Sequence, residues 1–101
     1  MKRVYVVNNG GHDYTDAERF GAVTFCTDHV IAKHDTAQMF RELNDALADA
    51  NHDDYILISS LATLCSIACS ILAARFGEVH LLIFKDGKYI ERSLMLDNEE
   101  V

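Results

Sequence analysis

From Leu57 to Ala74 no residue carries a charge, and the later part of that run, Leu61–Ala74, has helical spacing with no polar face. Nothing limits the fold of this chain more. A helix that is apolar all round is buried all round, so a chain of 101 residues must cover it on two sides. The run is long enough to raise the question of a membrane span. It divides, however, into the end of a strand and a helix rich in Ser, Thr and Cys, so neither part crosses a bilayer. Leu61, Leu64, Ile67 and Ile71 make one large-residue face, suited to cover a sheet. The other face carries Ala62, Ser66, Cys69, Ser70 and Ala73, whose small side chains let another backbone come close. The expectation is a homo-oligomer with this helix at or near the interface, since small symmetric assemblies are common. The plainer reading is burial beneath another helix of the same chain.

The remaining elements follow from local pattern. Val4–Val7 is β-branched and aromatic and runs into Asn8-Asn9-Gly10-Gly11, a buried strand ending in a loop. Thr15-Asp16-Ala17-Glu18 has the capping-box spacing, with Gly21 in the position that closes a short helix. Ala22–Thr27 reads as a second strand, and Asp28–His34 as a hairpin return. Asp35 and Thr36 cap an amphipathic helix whose inward side is Met39, Phe40, Leu43, Ala46, Leu47 and Ala50. Tyr55–Ile58 does not alternate, so both of its faces are covered, as in a parallel sheet. After the charge-free helix and Gly77, strands Val79–Phe84 and Lys88–Met95 flank Asp86-Gly87, a strong hairpin signal. The tail Asp97–Glu100 should fray. The fold class is α/β: one compact domain over residues 1–101, a mixed sheet with a parallel β-α-β core, two main helices and a C-terminal antiparallel hairpin. Its core should include Val4, Val6, Phe40, Leu43, Leu47, Ile56, Ile58, Leu64, Ile67, Ile71, Leu82 and Phe84.

Charge and cysteine usage then exclude several functions. Sixteen acidic against nine basic residues give a formal charge of −7, and no Lys/Arg cluster compensates locally. Nucleic-acid polymers are therefore not expected partners, whereas a mononucleotide needs only one or two basic groups and a ring of amides. Cys26, Cys65 and Cys69 lack a disulfide-framework spacing, and the N-terminus runs into a strand without a signal-peptide hydrophobic region. Both point to a reducing, cytoplasmic setting. Cys65 and Cys69, one helical turn apart with no His beside them, read as core thiols. His29 and His34 read as surface residues, and His52, Asp53 and Asp54 as a solvated turn. The pattern calls for no cofactor and no metal.

The candidate site lies in two loops. Asn9, His12, Asp13 and Tyr14 follow the first strand, and as polar and aromatic side chains they exceed what a plain Gly-rich turn requires. Their glycines match neither the dinucleotide fingerprint nor the phosphate loop. Ser59 and Ser60 end the next buried strand and open the charge-free helix, with Thr63 one turn in. Helix capping accounts for them, and the same hydroxyls and free amides suit an anion. If the two strands are parallel neighbours, the loops converge. Arg19 and Arg92 would add positive charge. A Ser59 or Ser60, His12, Asp13 triad lacks the G-x-S-x-G elbow, and adjacent His and Asp side chains diverge on extended backbone.

The phrases Gly11-His12-Asp13-Tyr14, Asp16–Gly21 and Asp54–Ser60 resemble small uncharacterised proteins of tailed phages, over most of the chain. Some unrelated small phage proteins form oligomers that sequester host nucleotide signals. The resemblance implies a chain acting in the cytoplasm of a host cell, and by analogy a similar task. The resulting expectation is a homo-oligomeric binding protein holding a small polar, nucleotide-like ligand at the two loops. A small hydrolase or lyase with His12 as general base, or a structural or protein-interaction subunit, are the alternatives.

Overall fold

The computed structural model describes residues 1–96, so the expected fraying of Asp97–Glu100 lies outside the described residues. Strands β1 (Arg3–Asn8), β2 (Ala22–Thr27), β3 (Tyr55–Leu57), β4 (Glu78–Lys85) and β5 (Lys88–Met95) form one sheet in the order β2-β1-β3-β4-β5. The first four strands in that order are parallel, and β5 returns antiparallel to β4. Asp86 and Gly87 both take the left-handed conformation, at φ 53° and 84°, which is what a two-residue hairpin turn demands. β3 is short. Leu57, its last residue, pairs with Val6 and Leu82, while β1 continues to Asn8 and β4 to Lys85.

Alternation splits the sheet into two faces. Tyr5, Val7, Ile56 and Val79 meet helices α1 (Thr36–Ala46) and α2 (Ala62–Phe76) on one side. Val4, Val6, Tyr55, Leu57 and Leu82 meet Tyr14, and Ala17 of the short 3-10 segment Thr15–Arg19 that follows it, on the other. Asp35 caps α1 by accepting the N–H of Gln38 at 3.0 Å, and Gly77 ends α2 at φ 72°.

α2 shows its sheet-facing side to be Leu64, Cys65, Ala68, Ile71 and Leu72. Leu61 is exposed at its N-cap and Ile67 is half-buried, so the expected stripe is rotated by about one position. α1 covers one flank of α2. Ser66, Ser70 and Ala74 stay open and form, with Phe40, a groove of about 460 Å³.

Several local expectations are corrected. Phe40, 50% exposed, sits beside that groove because α1 turns Met39 and Leu43 into the core instead. Phe84, 57% exposed, lies near the hairpin turn, with the Tyr89 ring 5.1 Å away. Ile58 is half-buried. Asp28–His34 is an irregular loop, not a return strand. It is tethered by Asn8 Nδ2 donating to the His29 carbonyl at 3.1 Å and by His29 Nε2 against Glu42 Oε1 at 2.6 Å. The 3-10 segment has Tyr14 at its N-cap without a side-chain cap, in place of the capping box. Gly21 is not left-handed; a Cβ there would stand 2.5 Å from the Lys2 carbonyl oxygen, so the need is for close approach. Asp54, far from solvated, is 1% exposed. Its two oxygens accept the N–H of Arg3 at 2.9 Å and of Asn51 at 2.8 Å, locking the turn before β3 to the start of β1. Among the described residues, no helix is long and apolar enough to cross a membrane.

Candidate functional site

β1 and β3 are adjacent and parallel, and the chain leaves their carboxyl ends on opposite faces. From β1 it passes to the 3-10 segment and β2; from β3 it passes to α2 and β4. In open α/β sheets this is the switch point, where the two departing loops part and leave a crevice. A cavity of about 460 Å³ opens there. His12, Asp13 and Tyr14 line it from the β1 loop, Ser59 and Ser60 from the β3 loop, and Phe84 and Tyr89 from the hairpin. The two predicted loops therefore do meet.

Local hydrogen bonding fixes the β1 loop. Asn9 Oδ1 accepts the N–H of Gly11 at 3.2 Å, supporting a turn in which Gly11 is left-handed at φ 77°. Asp13 Oδ1 accepts the Thr15 hydroxyl at 2.6 Å and the Thr15 N–H at 2.9 Å. These two donors, the hydroxyl first, hold the Asp13 carboxyl below its ordinary value. Tyr14 is buried, edge-on to His12 at 6.2 Å and to Phe25 at 5.7 Å. Asn9 itself shapes the turn without lining the cavity.

On the β3 side, Ser59 Oγ accepts the N–H of Leu61 at 3.3 Å, while Leu61, not a serine, holds the N-cap position of α2. The N–H of Ala62 goes to the Ser60 carbonyl and that of Cys65 to the Leu61 carbonyl. The N–H groups of Thr63 and Leu64 have no acceptor among the described residues. Both residues line a second cavity of about 350 Å³, together with Asn8, Lys33, Met39 and Ser60. Thr63 thus faces this second space, and Ser60 borders both.

Arg19 and Arg92 stand apart from both cavities. Arg19 lies over the Phe20 ring at 4.2 Å, pairs with Asp16 at 3.2 Å and donates to the Tyr89 carbonyl. Arg92, on β5 opposite Leu81, donates to the Glu91 carbonyl at 2.7 Å.

Over residues 2–96 the chain matches the family described as phage Pam3 gp32-like protein. The chain belongs to that family. The resemblance to phage proteins seen in the sequence is thereby shown. No curated protein and no solved structure matches the chain.

Within this gp32-like fold, sequence reasoning missed Lys33, Phe84 and Tyr89. Lys33 had no visible signal, because only the irregular path of Asp28–His34 brings it to the mouth of α2. Phe84 and Tyr89 could have been found: they are a cross-strand pair two positions out from Asp86-Gly87. Cys26, Cys65 and Cys69 are all free thiols. Burial pushes Cys26 up to about 12 and Cys69 to about 11, with the neighbouring Cys65 adding to both. Among the described residues, no group of three or more His, Cys, Asp and Glu is placed to hold a metal ion.

Proposed function

We propose that the chain is a small-molecule binding protein that holds a nucleotide-like ligand across the switch point. The ring sits in the cavity walled by Tyr14, Phe84 and Tyr89, and the anionic group lies beyond Ser60, beside Lys33 and the first amides of α2. The observation that carries this reading is the adjacency of β1 and β3 with their loops departing to opposite faces around one cavity. Two features support the division of labour. No Lys or Arg lines the aromatic cavity, and Asp13 does, which disfavours a phosphate there. Lys33 borders the neighbouring space, where unbonded amides favour an anion. His12, Asp13 and Ser60 supply donors and acceptors to the ring, and Thr63 to the anion. In the phage setting the ligand is a host nucleotide signal held rather than turned over, in the cytoplasm, where free thiols persist.

Thermal shift on the full chain tests it, using nucleosides, their 5′-monophosphates and cyclic nucleotides. A ligand at a hundred times its Kd adds about 2.7 kcal/mol of stability. Phe84→Ala should weaken nucleosides and nucleotides alike. Lys33→Ala should weaken only the phosphorylated ones, by about tenfold or more. No shift with any of them would end the reading. A catalytic role for His12 as general base would instead appear as a new product by chromatography.

A second copy of the chain is the companion proposal, favoured by the open groove of Ser66, Ser70 and Ala74 beside Phe40 on α2. Knob and groove lie on one face, so two copies related by a twofold axis would bury both.

A further inference from the structure

On the sheet face opposite α1 and α2, three side chains that the switch-point cavities do not use form a hydrogen-bonded chain. Glu78 and His80 are two residues apart on β4 and share that face. Ser93 lies directly across from His80 on β5. His80 Nε2 is 2.6 Å from Glu78 Oε1, and His80 Nδ1 is 2.7 Å from Ser93 Oγ. The imidazole is mostly withdrawn from solvent, edge-on to Tyr55 at 6.3 Å, and the other Glu78 oxygen faces His52 Nδ1 at 3.4 Å.

The tautomer that donates to Glu78 gives this chain a direction. An ionised carboxylate only accepts, so Nε2 carries the hydrogen; on a neutral imidazole Nδ1 then holds the lone pair and accepts from the Ser93 hydroxyl. A hydroxyl donating to a base that a third group orients is the arrangement that makes serine nucleophilic. We propose that Ser93 is an activated nucleophile, with His80 as its general base and Glu78 as the positioning residue, which accepts the acyl group of a small uncharged ester.

The surroundings select the substrate class. Glu91 and Met95 flank Ser93 on the same face of β5, and Glu91 accepts from the Tyr55 hydroxyl at 3.1 Å. Carboxylates on two sides repel phosphate and other anionic esters, while the exposed Met95 offers an apolar seat. β5 is the outermost strand, so the ester reaches Ser93 from the open edge. In the step, Ser93 Oγ bonds to the carbonyl carbon and its proton passes to His80 Nδ1. The ester C–O bond then breaks, and the leaving oxygen departs as an anion or takes the proton back from His80.

Incubating the full chain with 4-nitrophenyl acetate tests this, with nitrophenolate release followed by absorbance and the acetyl group located by peptide mass spectrometry. One acetyl group should appear on Ser93 and be lost in Ser93→Ala. His80→Asn should slow acetylation by about a hundredfold. Glu78→Ala should slow acetylation of Ser93, because the imidazole loses the group that orients it, and Glu78→Asp, which keeps a carboxylate on the same strand, should restore part of the rate. Should His80→Asn fail to fold, by circular dichroism, the Glu78→Ala and Glu78→Asp rates decide. Acetylation confined to lysines or other hydroxyls, or a Ser93 rate unmoved by these substitutions, would overturn the proposal.

Discussion

Asp16 reaches from the 3-10 segment across the sheet face to accept, through Oδ2, the backbone N–H of Tyr89 at 2.7 Å. This contact joins residues seventy-three apart in sequence and fixes the start of β5 beside the cavity that Tyr89 helps to wall. The Tyr89 N–H is the main reason the Asp16 carboxyl sits below its ordinary value. A depressed carboxyl stabilises the fold above its unfolded value of 3.8 and loses that contribution as pH falls through the lower folded one. Asp16→Ala should therefore speed hydrogen exchange at the Tyr89 amide at neutral pH. Wild-type protein should show the same loss only in acid, as NMR exchange across pH will report.

Asp54 is the opposite case, a carboxylate almost wholly removed from water and bonded to two main-chain donors. Asp54→Ala strands the N–H groups of Arg3 and Asn51, and should destabilise the fold by about 1–3 kcal/mol. The urea midpoint reads this directly.

Leu64 and Phe40 separate the core from the surface. Leu64→Ala opens a cavity under the first turn of α2 and should cost about 2–5 kcal/mol. Phe40→Ala removes a half-exposed ring and should change monomer stability by less than about 1 kcal/mol. It should, however, lower the molar mass seen by light scattering if a second copy covers that groove. A monomer at micromolar concentration for wild type would remove the pairing proposal.

The thiols predict alkaline behaviour. A group whose folded value is raised contributes stability that is intact below its unfolded value, here 9.0, and is lost as pH rises through the folded one. Cys26 and Cys69, raised to about 12 and about 11, should make the protein melt at progressively lower temperature above pH 9. Cys26→Ala should flatten that decline. At pH 8 both thiols remain protonated and should react with iodoacetamide far more slowly than in the denatured chain.

Much of this architecture was readable because single residues dictate it. Asp86-Gly87 forces the hairpin turn, Gly77 stops α2, and the absence of alternation in Tyr55–Ile58 marks a strand covered on both faces. The convergence of the His12 and Ser60 loops followed from the same reasoning, since two buried parallel strands share an edge. What escaped the sequence depends on tertiary placement. Phe40 and Phe84 fit the apolar pattern of their elements, but no second layer reaches them. Asp54 looks like a turn residue until β1 is laid beside it. The Ser93–His80 pairing was within reach: a turn at Asp86-Gly87 sets Lys85 against Lys88, and counting back along both strands meets His80 and Ser93.

The shortness of β3 has a consequence for how such a pocket can be altered. Its neighbours continue at least two residues past the level of Leu57, at about 3.3 Å each. Ile58 still donates its N–H to the Leu82 carbonyl at 2.9 Å, so the step in the rim begins after Ile58 and is shaped by Ser59 and Ser60. That step follows the path of the backbone rather than the identity of the side chains that border it. Substitutions at His12, Ser60 or Phe84 can alter the lining while the scaffold stays intact, whereas moving the point at which the chain turns after Ile58 would reshape the opening itself. The lining and the frame are therefore separable.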